Sequence, residues 1–383
     1  MSKEYIYEII KRLEGERHPL FNYEALESTA DFLESKFRTN GLDTWIHTFS
    51  VKGYDKTFKN VIGEIGDPKE PAILIGAHYD TVRNTPGAND NLSGVSVMLD
   101  IIERLKDKKK VPHILFVGFT LEEGHPGFDA YVKKELQNKG IIDKKEKYIS
   151  LEVNQLSLQV LNNARKIKKQ GGSLLEGFRG QVESLSGIQK SYCEIMIDAH
   201  ERFEDDYFDQ GRIMLGSSKL QSYLVEKSIE VSEVIIFDCL GWIKKEENSQ
   251  KKLPITEDMM SLVQTHLVDL EKNIGNYIGI FSEQSSNHIL NDYLTSCKGI
   301  GQLPFLGMHL PVPYNQVKMM FPDVLRSDHA PFWKAGIKGL FITDFANFRS
   351  ELYHTPADQL HRIDYTMLDR ISAATANYLE MKK

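Results

Sequence analysis

Hydrophobic residues recur with helical spacing at the start of the chain. Ile6, Ile9 and Leu13 lie three and four residues apart, a repeat that places side chains on one face of a helix. A second stretch of this kind follows Asn22, a residue type that caps helix N-termini, and stops at Gly41. The pattern therefore predicts two amphipathic helices before the first strand.

Short apolar segments bounded by turn residues follow these helices. Residues 43–51 alternate between apolar and polar as a half-buried strand does, and the other segments are continuous apolar runs, which are typical of buried strands. These runs are Ala72-Ile73-Leu74-Ile75, Ile114-Leu115-Phe116-Val117, Val234-Ile235-Ile236-Phe237 and Leu340-Phe341-Ile342. Because helical patterns alternate with them, we predict a three-layer α/β/α sandwich around a mostly parallel, mixed central sheet.

A long stretch without a buried strand separates the second of these runs from the third. Residues 126–215 are polar and helical in pattern, and Val153, Leu156 and Val160 form one apolar stripe. We therefore predict a helical insertion at 126–215, within a sandwich domain formed by residues 1–125 and 216–383.

Charge and cysteine content limit the classes of partner and the cellular compartment that we expect for this protein. The 47 Lys and Arg against 54 Asp and Glu give a net charge of −7, which offers no basic surface for nucleic acid. No apolar run reaches the roughly 18 residues of a membrane span. The three widely spaced cysteines form neither a disulfide framework nor a metal knuckle. We expect a cytoplasmic protein without nucleic-acid or membrane partners, and the oligomeric state is left open.

Polar residues cluster where the predicted strands end, which is where open α/β sheets form their sites. The residues concerned are His78 and Asp80 after the first buried strand, Asp90 in the loop beyond it, Glu122 and Glu123 after the second, Asp238 after the third, and His354 beyond the fourth. So many carboxylates at one edge would repel each other unless a cation lay between them. Mixed nitrogen and oxygen ligands suit zinc or a similar divalent ion. The surplus of carboxylates indicates two ions that share one ligand.

Five ordered segments carry a family resemblance. They are Gly76-Ala77-His78-Tyr79-Asp80, Pro86-Gly87-Ala88-Asn89-Asp90-Asn91-Leu92-Ser93-Gly94, Phe119-Thr120-Leu121-Glu122-Glu123-Gly124, Ser327-Asp328-His329-Ala330-Pro331-Phe332 and Tyr353-His354-Thr355. In sequence, in order and in their relation to the strands, they resemble the M28 family of zinc aminopeptidases. The resemblance covers most of the chain apart from the insertion, and it implies that the sandwich, with a zinc exopeptidase-like fold, is the catalytic domain.

The resemblance also implies a set of metal ligands. His78 would bind one zinc ion and Asp90 would bridge both ions. Glu123 and His354 would complete the second ion's ligands, and a further acidic residue those of the first. In the family, the peptide bond that follows the bridging Asp, here Asp90–Asn91, is often cis.

Two more residues take roles from the resemblance. Glu122 would be the general base that acts on a zinc-bound water. Asp80 would support catalysis by accepting a hydrogen bond from His78, which fixes the tautomer of a metal-bound imidazole. Asp328 and His329 lie in a family motif, where bracing of the ligand loops and a part in catalysis both stay open.

The remaining acidic ligand has two candidates. Asp238 ends a buried strand, and Leu215-Gly216-Ser217-Ser218 and a short helix precede it, as they do in the family. Glu152 lies at about the expected distance beyond Glu123, but it sits beside a helical stripe instead of at a strand end. We assign Asp238 and keep Glu152 as the alternative.

The resemblance implies a di-zinc aminopeptidase that removes N-terminal residues from peptides, with Co²⁺ or Mn²⁺ as substitute metals. Three alternatives stay open. They are a glutaminyl cyclase-like zinc acyltransferase, a carboxypeptidase of the same family, and a non-catalytic binding protein on a peptidase fold. The preferred side chain and the role of the insertion do not follow from the sequence.

Overall fold

The computed structural model of the chain describes residues 2–209, 211–253 and 256–382, without the side chains of Lys169 and Asp258. Two compact units are present. The first, unit 1, consists of Met1–Thr48, Phe58–Glu123 and Gly216–Lys383, and the second, unit 2, of Phe49–Thr57 and Gly124–Leu215. The division of the chain into a catalytic domain, residues 1–125 and 216–383, and an inserted helical subdomain, residues 126–215, stays a prediction.

An open, mixed sheet of nine strands forms the framework of unit 1, with helices on both of its faces. The strands are β1 Asp43–Ser50, β2 Thr57–Ile65, β3 Ala72–His78, β4 Ile114–Phe119, β5 Val231–Phe237, β6 Val263–His266, β7 Ile278–Ser282, β8 Phe305–His309 and β9 Lys338–Thr343. Their order across the sheet is β1-β2-β4-β3-β5-β9-β7-β8-β6. The predicted α/β/α fold is therefore confirmed.

The four strands at the centre of the sheet run parallel. β3 lies between β4 and β5, and β9 pairs with the far side of β5. The register places His78 opposite Phe119 and Phe237 opposite Ile342. Because these strands end level with one another, the segments that follow them leave the sheet along the same edge.

The helices of unit 1 begin and end where the sequence supplies caps. Asn22 and Asn91 accept hydrogen bonds from the amides of Ala25 and Gly94, at the starts of the second and third helices. The helices are α1 Ser2–Leu13, α2 Tyr23–Thr39, α3 Leu92–Leu105, α8 Leu215–Glu226, α9 Asn287–Gly299, α10 Tyr314–Met320, α11 Ala330–Lys334 and α12 Tyr365–Met381. In α3, all but two residues are buried, so its capped N-terminus is held firmly at the edge of the sheet.

In the described part of unit 2, four α-helices surround a hydrophobic core. They are α4 Pro126–Asn138, α5 Leu151–Lys169, α6 Leu174–Arg179 and α7 Gly187–Arg202. Ser150 caps α5, and Ser173 forms a capping box with Glu176 at the start of α6. A Cβ at Gly177 would lie only 2.6 Å from the Cα of Ala164, so glycine allows α6 to pack closely on α5.

Among the described residues, no helix combines the length and the apolar character that a membrane crossing requires.

Candidate metal centre

The carboxyl ends of the central strands bring the predicted ligands together in unit 1. His78 is the last residue of β3, Asp238 follows β5, and Glu123 lies in the turn after β4. Asp90 immediately precedes the N-cap of α3. His78 and Asp90 are only 1% and 2% exposed, which makes unpaired charges there costly.

The ligand atoms of these residues form two groups of three that share Asp90. His78 and Asp238 complete one group, and Glu123 and His354 complete the other, with the three atoms of each group within 4.8 Å of one another. In the first, Nε2 of His78 lies 3.2 Å from Oδ1 of Asp90 and 3.6 Å from Oδ1 of Asp238. In the second, Nε2 of His354 lies 3.1 Å from Oδ2 of Asp90 and 3.2 Å from Oε1 of Glu123.

These distances fit metal coordination. Ligands about 2.1 Å from a tetrahedral zinc ion lie about 3.4 Å from each other. Within the described residues, Oδ2 of Asp90 and Nε2 of His354 are buried without a hydrogen-bond partner, although they are close neighbours. Atoms that converge without hydrogen-bond alignment, in a set of imidazoles and carboxylates, suit a divalent cation. The number and identity of the ions, and the role of each ligand, stay predictions.

Asp80 lies beside His78 and contacts the turn that carries Glu122 and Glu123. Oδ1 of Asp80 and Nδ1 of His78 are 3.6 Å apart, which is too long for a hydrogen bond. The two carboxylate oxygens of Asp80 instead accept the backbone amides of Glu122 and Glu123, each at 3.1 Å. Asp80 is therefore placed to hold the turn that carries both glutamates, and its part in orienting His78 stays a prediction.

The Asp90 loop is fixed by asparagine side chains. The Asp90–Asn91 peptide bond is cis, as the resemblance implies. Asn91 donates to the carbonyl of Phe237 at 2.8 Å and accepts the amide of Cys239 at 3.3 Å. Asn89 accepts the amide of Gly241 at 2.7 Å. These bonds connect the loop of Asp90 to the segment that contains Asp238.

Glu122 lies beside the ligands and belongs to a third group, with His78 and Glu123. Burial raises the pKa of Glu122 well above its ordinary value. The charge of His78 lowers this pKa, whereas the charges of Glu123 and Asp238 raise it. Burial likewise raises the pKa of Glu123 to about 7. A carboxyl group with a raised pKa can both accept and deliver a proton near neutral pH.

The alternative ligand, Glu152, belongs to neither of these ligand groups. It is an exposed residue in the first turn of α5, and α5 belongs to unit 2. None of the metal-holding groups found in the described part of the chain includes it. The geometry therefore favours Asp238.

His354 has a left-handed backbone conformation, with φ of +58°. Its ring stacks on that of Tyr353, with centroids 3.7 Å apart and planes 21° from parallel. The interaction of His354 with Glu123 and Asp90 outweighs its burial and raises its pKa to about 10 in the metal-free protein. A metal ion that binds this nitrogen must displace the proton from it.

The residues of the Ser327–Phe332 motif are all buried, and the choice between a bracing and a catalytic role stays open. His329 is fully buried, and its ring lies 4.2 Å from that of Phe341 at an angle of 12°. Burial lowers the pKa of His329 to about 3, so it packs as a neutral ring. Asp328 is also fully buried, and burial raises its pKa to about 7.

Two residues in contact with the Asp90 loop were not found by sequence reasoning. Asp358 accepts the amide of Asp90 at 3.0 Å, and its position four residues after His354 is a signal that could have indicated it. Arg17 donates to the carbonyl of Gly87 at 3.1 Å. It lies just after the first helix, where nothing in the sequence distinguishes it from a surface arginine.

An apolar cavity of about 260 Å³ opens beside Asp238 and Tyr353. Its walls are mostly aromatic and aliphatic. Among the lining residues are Leu253, Phe281, Met308, Leu310, Phe341 and Phe345. A cavity of this kind adjoining a cluster of polar groups is the usual arrangement of a small-molecule site.

The open α/β sheet and the His–carboxylate groups at its carboxyl edge define a metalloprotein-type site on a three-layer fold. The model of peptidase family M28 matches residues 60–209 and 307–379, which is more than half of the chain. The chain therefore belongs to peptidase family M28, whose members depend on metal ions, usually zinc.

Individual relatives are more distant. Aminopeptidase YwaD of Bacillus subtilis is 40% identical over 100 residues, which are 24% of this chain and 22% of YwaD. The chain spans less than half of the length of the curated relatives that it matches.

Among solved structures, the Legionella pneumophila LapA aminopeptidase gives a TM-score of 0.55 at 16% identity, over 98% of this chain and 70% of LapA. Porphyromonas gingivalis glutaminyl cyclase gives 0.56 at 16% identity, over 100% of this chain and 98% of the cyclase. At these identities the two structures establish the fold.

Proposed function

We propose that this protein is a di-zinc aminopeptidase that removes N-terminal residues from peptides. The observation that carries the proposal is the pair of three-ligand groups that share Asp90. A cluster that offers a bridging carboxylate and two separate imidazoles suits two neighbouring ions. Family membership supports the reaction class, and the names of YwaD and LapA support the choice of the N-terminal end.

The residues of the chain divide the work. The ions would be held by His78, Asp90, Asp238, Glu123 and His354. When bound, the ions supply Lewis acidity that makes a water nucleophilic near neutral pH and polarises the scissile carbonyl. Glu122 accepts the proton from the attacking water and passes it to the leaving amine, a contribution worth roughly 10²–10⁴-fold in rate. The turn that presents Glu122 is held in place because Asp80 accepts a hydrogen bond from the backbone amide of Glu122.

The apolar cavity beside Asp238 gives the enzyme its substrate preference. We expect large apolar N-terminal residues such as Leu or Phe to be cleaved with a higher kcat/KM than Ala or Asp, because most of the lining residues are apolar. Each methylene in such a pocket contributes roughly 10–200-fold. Tripeptides that differ only in the first residue measure this order. Preferred cleavage after Asp would contradict the assignment of the cavity.

The decisive experiment compares the zinc-loaded wild type with Glu122→Gln on a mixed peptide library, read by mass spectrometry. We expect stepwise N-terminal shortening by the wild type and a loss of most turnover in Glu122→Gln with zinc content unchanged. Glu152→Gln, which neutralises an exposed glutamate, serves as the matched control. Near wild-type turnover in Glu122→Gln would refute its role as general base.

Glutaminyl cyclases among the structural neighbours support one second candidate. A cyclase would close an N-terminal glutamine and release ammonia, whereas an aminopeptidase would release the whole residue. The same library distinguishes them, because cyclisation lowers the peptide mass by that of ammonia. C-terminal trimming would indicate a carboxypeptidase. If the metal-loaded protein catalysed no reaction, the result would indicate a binding role.

A further inference from the structure

The loop that carries Asp90 is fastened by two buried, oppositely charged residues outside the ligand set. Arg17 and Asp358 come from opposite ends of the chain, and their side chains are 1% and 0% exposed. Arg17 follows α1 and Asp358 precedes α12. Neither is part of the metal-holding groups identified in the described residues.

Arg17 binds the carbonyl side of the loop. Its guanidinium donates to the carbonyls of Tyr79 at 2.7 Å, Pro86 at 2.9 Å and Gly87 at 3.1 Å. It also donates to the carbonyls of Leu13 and Gly15, within its own segment. Its charged fork therefore fastens the beginning and the end of the 79–87 loop to the end of α1.

Asp358 binds the amide side of the same loop. Oδ1 accepts the amide of Asn89 at 2.7 Å, and Oδ2 accepts the amide of Asp90 at 3.0 Å. Both bonds are charge-assisted, which makes them stronger than bonds between neutral groups. Asp358 thus acts directly on the backbone of the residue that both ligand groups share.

The close fit around Arg17 shows that the loop is built against it. Gly87 has φ of +67°, and a Cβ there would lie 2.5 Å from Nη2 of Arg17 and 2.6 Å from the carbonyl oxygen of Asp90. A fully buried guanidinium is costly to desolvate. Here five backbone carbonyls accept its hydrogen bonds, and the loop gains a single defined path.

We propose that Arg17 and Asp358 are positioning residues that set the metal affinity of the site by fixing the backbone of Asp90. The inference rests on the proposed function only in that Asp90 binds a metal ion. Mutation of residues that hydrogen-bond to metal ligands and orient them typically weakens metal affinity about 10–100-fold. The same range is expected here.

The test uses Arg17→Lys, which keeps the charge but replaces a five-donor planar fork with three donors on one nitrogen. Arg104→Lys is the matched control. Arg104 is also held by several bonds, to Asp100, Ser372 and Asp369, at the end of α3 far from Asn91. The full-length proteins are titrated with zinc against a colorimetric chelator, and the Co²⁺-loaded forms are compared by visible absorption.

We expect Arg17→Lys to bind zinc about 10–100-fold more weakly than the wild type and to show an altered Co²⁺ spectrum, while Arg104→Lys keeps both wild-type values. Should Arg17→Lys fail to fold, Asp358→Asn supplies the same comparison, because an amide oxygen can still accept one backbone amide. Urea unfolding of the metal-free proteins separates a general loss of stability from a loss of affinity.

The outcomes distinguish the two proposals. Wild-type protein that binds no metal would overturn the proposed function itself. Wild-type metal binding with unchanged zinc affinity and Co²⁺ spectrum in both Arg17→Lys and Asp358→Asn would overturn the positioning role alone. An equal loss of affinity in Arg17→Lys and Arg104→Lys would also overturn it, because the effect would then follow stability.

Discussion

Asp90 contributes one oxygen to each ligand group, so its two oxygens have separate partners. Oδ1 faces His78 and Oδ2 faces His354, at 3.2 and 3.1 Å. The other four ligands each belong to only one of the two groups. If each group holds an ion, as proposed, a change at Asp90 affects both sites, whereas a change at Asp238 or His354 affects one.

This asymmetry predicts the metal content of single variants. We expect Asp90→Asn to lose most of both ions, and Asp238→Asn to retain one ion, because the group of Asp90, Glu123 and His354 stays complete. Metal content per chain by mass spectrometry of dialysed protein measures the effect. Glu152→Gln is the control for the alternative ligand, and the loss of an ion in Glu152→Gln but not in Asp238→Asn would reverse the assignment.

At the scale of elements, the unit 2 helix α7 carries a buried histidine whose titration affects stability. His200 is 4% exposed, and its ring makes a T-shaped contact with that of Phe128, with centroids 5.2 Å apart. Burial and, to a smaller extent, the charge of Arg212 lower the pKa of His200 to about 4. In an unfolded chain the same group titrates near 6.5.

This difference predicts an acid-sensitive unit 2. The unfolded chain takes up the proton first, so stability is complete above pH 6.5 and is lost as the pH falls towards 4. Between pH 7.5 and 5 we expect a loss of about 1–2 kcal/mol. Hydrogen-exchange mass spectrometry of α7 along a urea titration measures it. His200→Gln should remove most of the pH dependence, and an unchanged dependence would assign it to other groups.

The apolar pattern predicted the central strands because both faces of the sheet are covered there. β3 is buried along its whole length, as a continuous apolar run requires. The shorter strands β7 and β8 escaped prediction because Gly279 and Gly307 interrupt them. A Cβ at either glycine would lie 2.7 Å from Phe345 or Leu294, so the interruption has a packing cause that a local pattern does not contain.

The candidate site divides in the same way. Its ligands could be predicted because they follow buried strands and stand in recognisable segments. The contacts that hold those ligands in place are hydrogen bonds with backbone groups. Asp80, for example, accepts the backbone amide of Glu122. Such contacts depend on the folded path of the chain. Arg17 reaches a loop more than sixty residues away, a contact that only the tertiary structure reveals.

For the molecule as a whole, the site couples metal binding to stability and pH. Without metal, burial raises the pKa of Glu123 and of Asp328 to about 7. The folded chain therefore keeps protons that the unfolded chain has already lost above pH 4 to 5. The resulting stability is present at low pH and lost as the pH rises through 7. A bound dication reverses this trend, because it favours the ionised carboxylates.

Zinc should consequently stabilise the protein more at pH 8 than at pH 5.5. An ion that binds only the folded chain contributes about 2.7 kcal/mol at one hundred times its dissociation constant, and protons compete with it for Glu123 and His354. Urea unfolding of zinc-loaded and chelator-treated protein at both pH values measures the difference. His200→Gln is the suitable background, because it removes a titration of opposite sign. An equal zinc effect at both pH values would mean that Glu123 and His354 do not give up protons when the ion binds, and that they are not its ligands.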